Sequence, residues 1–450
     1  MVSIFFLLIF FSNLCDAQPR VLRTDLSLEP LITVRSGAVR IAYNEADHAL
    51  YYVTTEGNVY KIITRNNLNK DSLAFSRRSH GLANVAGLSF FNGAIYLLGN
   101  KAYSNGRTGA IIKKGWKKGK ITQWKIIAHT EPIPPSNTTF DHRYSSVAIS
   151  PDGKWLFFNS GSRTDHGEEQ TDNGKYPGLR EIPLTSAVFR VPLDSLNTYL
   201  PNDSSKLAED GYLYADGLRN SYELAFDGEG NLFGCENSGD RDDPEELNWI
   251  REGRHYGFPW KMSLSMNKQL YKDFDPAKDL LINQEYYAWN KSHFRNDPAF
   301  PPPPDSLTFS DPIFNFGPDA DKYRDSVTGK IRDASDDGAS LSTFSGHRSP
   351  LGLVFDKDSL LKAPYRGSGF LLSWTPRDES KNVGALGEKG EDLVQLIFRY
   401  DAVIDNYKIM THKLVDGLKS PIDAEIVGKD IFILENGKGG NIWRVSFPVN

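Results

Sequence analysis

Between Gly217 and Asn248 the chain reads GLRNSYELAFDGEGNLFGCENSGDRDDPEELN. Its second half crowds Glu236, Asp240, Asp242, Asp243, Glu245 and Glu246 around a single cation, Arg241. Like charges this close repel unless water or a cation screens them. Two readings follow: a solvated acidic rim, or an oxygen-rich seat for a hard cation such as calcium, which takes six to eight oxygens. Two further groups could act on a substrate. His142, between Asp141 and Arg143, has the near-neutral imidazole suited to proton transfer, or is an ordinary loop histidine. Arg219 could hold a fixed positive charge against negative charge developing in a reaction, or pair with Asp216 or another nearby carboxylate. Trp374, in LLSWTPRDES, offers a stacking face for a flat cofactor or a sugar ring, or is a surface residue. His347, in SGHRSPLGL, opens a strand much as His142 does.

The elements that must position these groups repeat along the chain. An alternating strand, a Gly/Asp/Asn turn and an aromatic-rich strand recur from Val39, Val85, Ser145, Tyr222, Leu351 and Ile422. Spacing-two alternation with turn dipeptides is the mark of antiparallel hairpins. No long amphipathic helix with caps at both ends stands out. Six such units of uneven length predict an all-β fold, a six-bladed β-propeller, in which radial closure leaves only short protected edges. Seven blades or a sandwich would also accommodate the pattern. Residues 166–209 and 261–344 are longer than blade connections require, and their Pro, Asp and Asn content, including PAFPPPPDS, marks them as loop insertions. Long loops gathered on one face of a propeller are the natural place for a binding site.

Composition narrows the possibilities. Residues 1–17 carry a short apolar run too brief to span a bilayer, and Cys15-Asp16-Ala17 places small residues at −3 and −1 of a cut before Gln18. This predicts a signal peptide followed by one propeller domain over 18–450, secreted or periplasmic, although the run lacks a preceding Lys or Arg. A short membrane anchor is the alternative. No later segment is apolar enough to span a membrane. Of the 2 cysteines, cleavage leaves Cys235 alone, so the fold rests on its core and not on an internal disulfide. A net charge of −5 with scattered basic residues argues against nucleic acid. The one basic cluster, KKGWKKGK, reads as a hairpin tip. Asn137, Asn202 and Asn290 each begin an N-x-S/T triplet.

The stretch GLRNSYELAFDGEGNLFGCENSGDRDDPEELNWIREGRHYGFPW resembles the signature of the soluble quinoprotein sugar dehydrogenases, the glucose/sorbosone or aldose sugar dehydrogenase family. A second stretch, FDHRYSSVAISPDGKWLFFNSGSR from Phe140, resembles the blade strand that opens with that family's catalytic histidine. The resemblance implies a six-bladed propeller using pyrroloquinoline quinone (PQQ) and calcium. It makes His142 the base that takes the proton of a sugar's anomeric hydroxyl, and Arg219 the cation beside the quinone, with Asn220 in the same turn. Asn237, Ser238 and Gly239 match the positions whose carbonyls hold the active-site calcium. Glu245, Glu246 and the Tyr256 carbonyl match a second, structural calcium. Arg377 lies near a cofactor-contacting lysine of the fifth blade, with Lys381 as competitor and Trp374 beside it.

The match also has gaps. The family's Gly-Asp pair after the strand is Gly161-Ser162 here, with Asp165 three residues on. The Gly-Pro of the calcium turn is Ser238-Gly239. Where the family places arginines that grip the quinone's carboxylates, this chain has Lys419-Ser420-Pro421-Ile422-Asp423, and loss of guanidinium forks weakens binding of a tricarboxylate. The expected partners are a sugar substrate and an external electron acceptor, with oxidation of an aldose or oligosaccharide to its lactone. Two alternatives are a propeller of the same descent that binds carbohydrate or protein without redox chemistry, and a metal-dependent lactonase or other hydrolase.

Overall fold

A computed structural model describes residues 18–65, 68–119, 121–376 and 384–448. Residues 1–17, Arg377 and Lys381 lie outside them. Six sheets form the blades of a six-bladed β-propeller, the rest being loops, two small hairpins and a few short helices. The first blade contains Ala38–Asn44, Ala49–Thr54, Val59–Arg65 and Leu68–Phe75. The second is built on Val85–Phe91, Ala94–Ala102, Thr108–Lys118 and Ile121–Thr130, and its first hairpin turns through Asn92-Gly93, both at positive φ, the dipeptide that tight hairpins demand. The fourth has three strands, Ser221–Phe226, Leu232–Glu236 and Glu246–Ile250. The sixth joins Pro421–Val427, Asp430–Glu435 and Asn441–Ser446 to Ser27–Thr33 from the start of the chain, so the ring is sealed by antiparallel pairing of its two ends.

The long segments do more than loop. Residues 166–209, expected as an insertion, supply Ala187–Pro192 to the third blade and Thr198–Leu200 as a parallel edge to the second. Residues 261–344 supply Phe314–Pro318 to the edge of the fifth. Both stretches look irregular because short strands lie among turn residues. Middle strands are buried on both faces: every residue of Leu232–Glu236 is buried. Separate apolar clusters fill the spaces between successive blades, such as Leu156, Phe158 and Phe189 with Tyr96 and Ile112 between the second and third.

The exit ends of all six innermost strands converge on one cavity of about 650 Å³, lined among others by Asn44, Phe91, Ile149, Phe226, Phe355 and Glu425. His142, Arg219 and the acidic loop lie instead at the entry ends. None of the candidate site residues lines that cavity, so it and the candidate chemistry occupy opposite ends of the axis. Between them sits Arg40, 2% exposed. Its Nε donates to Ala86 O (2.8 Å), its Nη2 to Ser145 O (2.6 Å) and Tyr222 O (3.1 Å), and its Nη1 pairs with Glu223 (3.1 Å). Asp423 of the last blade accepts from Ile41 N (2.7 Å), next to Arg40 in the chain. Replacing Arg40 by Met leaves the buried Glu223 carboxylate without its cation and takes a guanidinium donor from three carbonyls. Removing one partner of a buried pair costs about 3–5 kcal/mol, and urea denaturation of Arg40→Met should show a loss of that size.

Candidate functional site

Backbone hydrogen bonds bring three loops together at the entry face. His142 N donates to Ser162 O (2.9 Å), and Ser162 N donates to Arg219 O (2.6 Å). The loop before His142 is stiffened by Asp141, whose carboxylate accepts from the amides of Ser136 and Asn137, each at 2.7 Å. Gly161 lies beneath the histidine. A Cβ there would fall 2.4 Å from His142 Cβ and 2.6 Å from Asn220 Oδ1, so only glycine admits this approach.

His142 Nδ1 lies 3.2 Å from both the carbonyl and the hydroxyl oxygen of Ser162. That hydroxyl spends its proton on Thr164 O (2.7 Å). Both oxygens therefore face Nδ1 as acceptors, which assigns the proton to Nδ1 and leaves Nε2 with its lone pair. Ser162 supplies both acceptors, and the imidazole is oriented without a carboxylate on Nδ1. Burial first, and Arg219 second, hold its pKa down to about 3.

Arg219, 3% exposed, is fixed by Asp165 and not by Asp216. Its Nε donates to Asp165 O (2.7 Å), its Nη2 to Asp165 Oδ1 (3.2 Å) and its Nη1 to Asn237 O (3.2 Å). Three of its five N–H groups are thus engaged. Asp165 also accepts from Asp240 N (2.9 Å) and holds His166 Nδ1 at 2.8 Å. Burial pushes the Asp165 carboxyl up, but His166 and Arg219 outweigh it and hold it at about 2. Asn220 donates to Asn237 Oδ1 (2.7 Å), tying the arginine turn to the expected calcium turn.

The acidic loop is buried, which excludes the solvated-rim reading: Glu236, Asp242, Asp243, Glu245 and Glu246 are each no more than 6% exposed. Of the expected set of Glu245, Glu246 and the Tyr256 carbonyl, the two carboxylates meet different partners, Glu245 preceding the strand that Glu246 opens. Glu246 accepts from Ser263 N (2.6 Å) and Asn248 Nδ2 (2.8 Å) and is the strand partner of Glu236. Burial and the Glu246 charge push Glu236 well up. The Tyr256 hydroxyl binds Trp249 O and the Arg251 amide. Glu245 instead faces the Ser238 and Ser349 amides, and burial pushes it to about 8 against the pull of His347 and Arg348.

Ser238 Oγ and Glu245 Oε2 are both buried without a hydrogen-bond partner, which suits a cation at that turn. Of the three expected carbonyls, that of Asn237 is taken by Arg219. The Gly239 backbone packs against Asp165, whose Oδ1 would lie 2.9 Å from an added Cβ. Among the described residues no group of three or more His, Cys, Asp or Glu is arranged to hold a metal.

The remaining candidates scatter. Trp374 is 37% exposed, and its amide donates to Ser349 O (3.1 Å). His347 Nε2 lies 2.8 Å from Asp242 Oδ1, and Arg324 binds the other oxygen of that carboxylate. In the last blade Asp423 belongs to the axial hub and brings no guanidinium to the site. Arg348 is near but fully buried and chelated by Asp392 at 2.6 and 2.7 Å. For a quinone, Arg219 with its two unengaged N–H groups fits on charge, without the paired forks of the last blade. Sequence reasoning passed over His166 and Phe140 and gave Asp240 no role beyond the acidic cluster. Asp165-His166 stood in the sequence as a carboxylate–imidazole pair just after the third-blade strand Trp155–Ser160, and that was the available signal.

A neutral imidazole and a buried guanidinium lie together at one end of a six-bladed axis. The profile of the glucose/sorbosone dehydrogenase family matches residues 22–296, and the chain belongs to that family. The fold is similar to the soluble aldose sugar dehydrogenase of Escherichia coli in its apo form (14% identity, TM-score 0.57, covering 94% of this chain and 100% of that one). It is similar to the PQQ-bound aldose sugar dehydrogenase of Streptomyces coelicolor (13%, TM-score 0.51, 96% and 98%). The holo PQQ domain of pyranose dehydrogenase from Coprinopsis cinerea is also similar (12%, TM-score 0.55, 95% and 97%). A comparison with curated protein sequences finds no match.

Overpacking a tight site costs about 1–3 kcal/mol. Gly161→Ala should lose that much in urea denaturation and should displace His142 from Ser162, visible as a shift of the His142 ring resonances.

Proposed function

We propose that this protein is an exported sugar oxidoreductase that oxidises the anomeric carbon of an aldose or oligosaccharide to the lactone, with PQQ as hydride acceptor and calcium at the Ser238–Glu245 turn. The reading rests on one juxtaposition: an imidazole with a free Nε2 beside a buried guanidinium. PQQ, when bound, supplies the two-electron acceptor for the hydride leaving the sugar carbon. His142 Nε2 takes the proton of the anomeric hydroxyl, so the carbon loses a hydride and the oxygen a proton, leaving the carbonyl of the lactone. Nδ1 stays bonded to Ser162, which keeps the ring aimed through the transfer. Arg219, held by Asp165, presents its remaining N–H groups to negative charge developing in the site. Ser238 Oγ and the Glu245 carboxylate are the oxygens that would receive calcium. Electrons then pass to an external acceptor. Export rests on the N-terminal apolar segment. Among the described residues no helix is long and apolar enough to cross a membrane. One observation favours a second reading, a propeller that binds carbohydrate or a partner protein without redox chemistry: the last blade offers Asp423 where the family places arginines.

Protein incubated with PQQ and calcium should reduce an artificial electron acceptor when given aldoses. No quinone binding and no dye reduction across a broad sugar panel would leave the binding propeller as the function. Loss of a positioned base costs about 10²–10⁴-fold, so His142→Ala should lower kcat by that factor; unchanged turnover would sink the base assignment. The pH profile gives an independent check. A base whose pKa is held near 3 is in its acceptor form above that value, so kcat/KM should stay level as pH falls from 8 to 5 and decline only towards 3. A falling limb near 6.5 would point to another group. Titration calorimetry with calcium should show binding to wild type and at least about tenfold weaker binding to Glu245→Gln, whose side chain lacks the charge that a hard cation seeks.

A further inference from the structure

The Arg219 centre has a roof. Tyr287 and His293 pack on Phe140 with ring centroids 5.5 and 6.1 Å away, and the Phe140 ring lies 5.8 Å from the Arg219 guanidinium. Phe294 stacks on His166 at 4.5 Å and 3°. Tyr286 stacks on His347 at 4.6 Å. The amide of Ala288 donates to Asp240 Oδ2 (2.7 Å), and Asp240 N in turn donates to the carboxylate that holds Arg219. One segment thus covers the cationic centre from several sides and leaves Arg219 3% exposed. A sugar or a planar cofactor reaching Arg219 must meet this segment first.

The way the segment is attached is unlike that of a blade. It is anchored at Ile282, bridged to Arg241, and at Asp297, ion-paired with Arg180 at 2.8 Å. Between those anchors, among the described residues, the backbone–backbone hydrogen bonds made by residues 284–296 stay local, as in His293 N to Ala288 O (2.8 Å). Its hold on the rest of the molecule is by side chains: stacked rings, the Asp240 carboxylate, hydrogen bonds from Asn296 Nδ2 to Lys272 O (2.6 Å), from Gly384 N to the Tyr286 hydroxyl (3.0 Å) and between Gln170 and His293 (3.2 Å), and a small apolar cluster of Phe140, Ile282, Ala288 and Phe294 separate from the cores between blades. Rings can part and re-stack without breaking a sheet, so local opening costs far less than global unfolding.

We infer that residues 284–296 form a displaceable lid whose inner aromatic face, Tyr287 and Phe294 above all, is the ligand-facing wall of the Arg219 centre. Entry requires the lid to lift, and on closing the same rings cover whatever the site has taken up. Because Phe140 precedes His142 by two residues, lid position and base position are linked. The identity of the ligand rests on the sugar-dehydrogenase reading; the lid itself does not.

Hydrogen–deuterium exchange on the full chain tests this, with PQQ and calcium as the probe. Residues 284–296 should exchange at least about a hundredfold faster than the strand Leu232–Glu236. Phe294→Ala should speed that segment a further several-fold while the strand is unchanged, and PQQ should bind the variant faster than wild type in stopped-flow absorbance. Should Phe294→Ala fold poorly, the half-buried Tyr287→Ala makes the same comparison. Exchange at the strand's rate in both proteins would overturn the lid. So would PQQ binding at one rate to both, with the segment unaffected by the ligand. Fast, variant-sensitive exchange with no PQQ binding to either protein would uphold the lid and remove the quinone reading instead.

Discussion

A guanidinium buried on the axis of a propeller has to be surrounded by acceptors, and Arg40 collects them from several blades at once. The carbonyls of Ala86, Ser145 and Tyr222 and the carboxylate of Glu223 belong to the second, third and fourth blades, while Arg40 itself belongs to the first. The first four blades cannot slide past one another without breaking one of these bonds. The hub also divides the axis. On one side lies a wide cavity rimmed by strand ends, and on the other the loops that carry His142 and Arg219. A charge that would be costly alone in a low-dielectric interior becomes a fixed reference point from which entry loops are measured.

The same logic recurs at the site on a smaller scale. Asp165 serves the Arg219 guanidinium, the His166 ring and the Asp240 amide together, so its two oxygens set the spacing of three loops. His142 is left to Ser162. A carboxylate partner would have raised the imidazole's basicity; a carbonyl and a hydroxyl orient the ring while leaving it neutral. The chain therefore keeps the direction of the base and gives up charge support for its protonated form.

The blades were legible because each hairpin announces itself locally: spacing-two alternation, a turn such as Asn92-Gly93, then an aromatic strand. All six units begin a blade. The positions of His142 and Arg219 on one face followed from motif and blade order. Glu245, just before the strand Glu246–Ile250, and Glu246 at its start meet different partners, which the motif alone did not show. Other features had no local signal. Asp165 could have met any of several cations, and Arg219 lies 54 residues away. The lid's aromatics meet Phe140 and His166 across the fold, and Tyr, His and Phe in an irregular stretch carry no mark of what they will cover. Arg377 and Lys381 fall outside the described residues.

Sealing the ring by its two ends has a consequence for how the chain comes to be. Thr33 bonds to Asn441 across 408 positions of sequence. Five blades can gather early from local hairpins, but the sixth is one strand short until Asn441–Ser446 is made. Contacts of such long range are slow to find, and a waiting strand edge is open to the wrong neighbour in the meantime. Closing the ring by Ser27–Thr33 on Asn441–Ser446 is thus the longest-range step of assembly, and until it happens both strands present open edges.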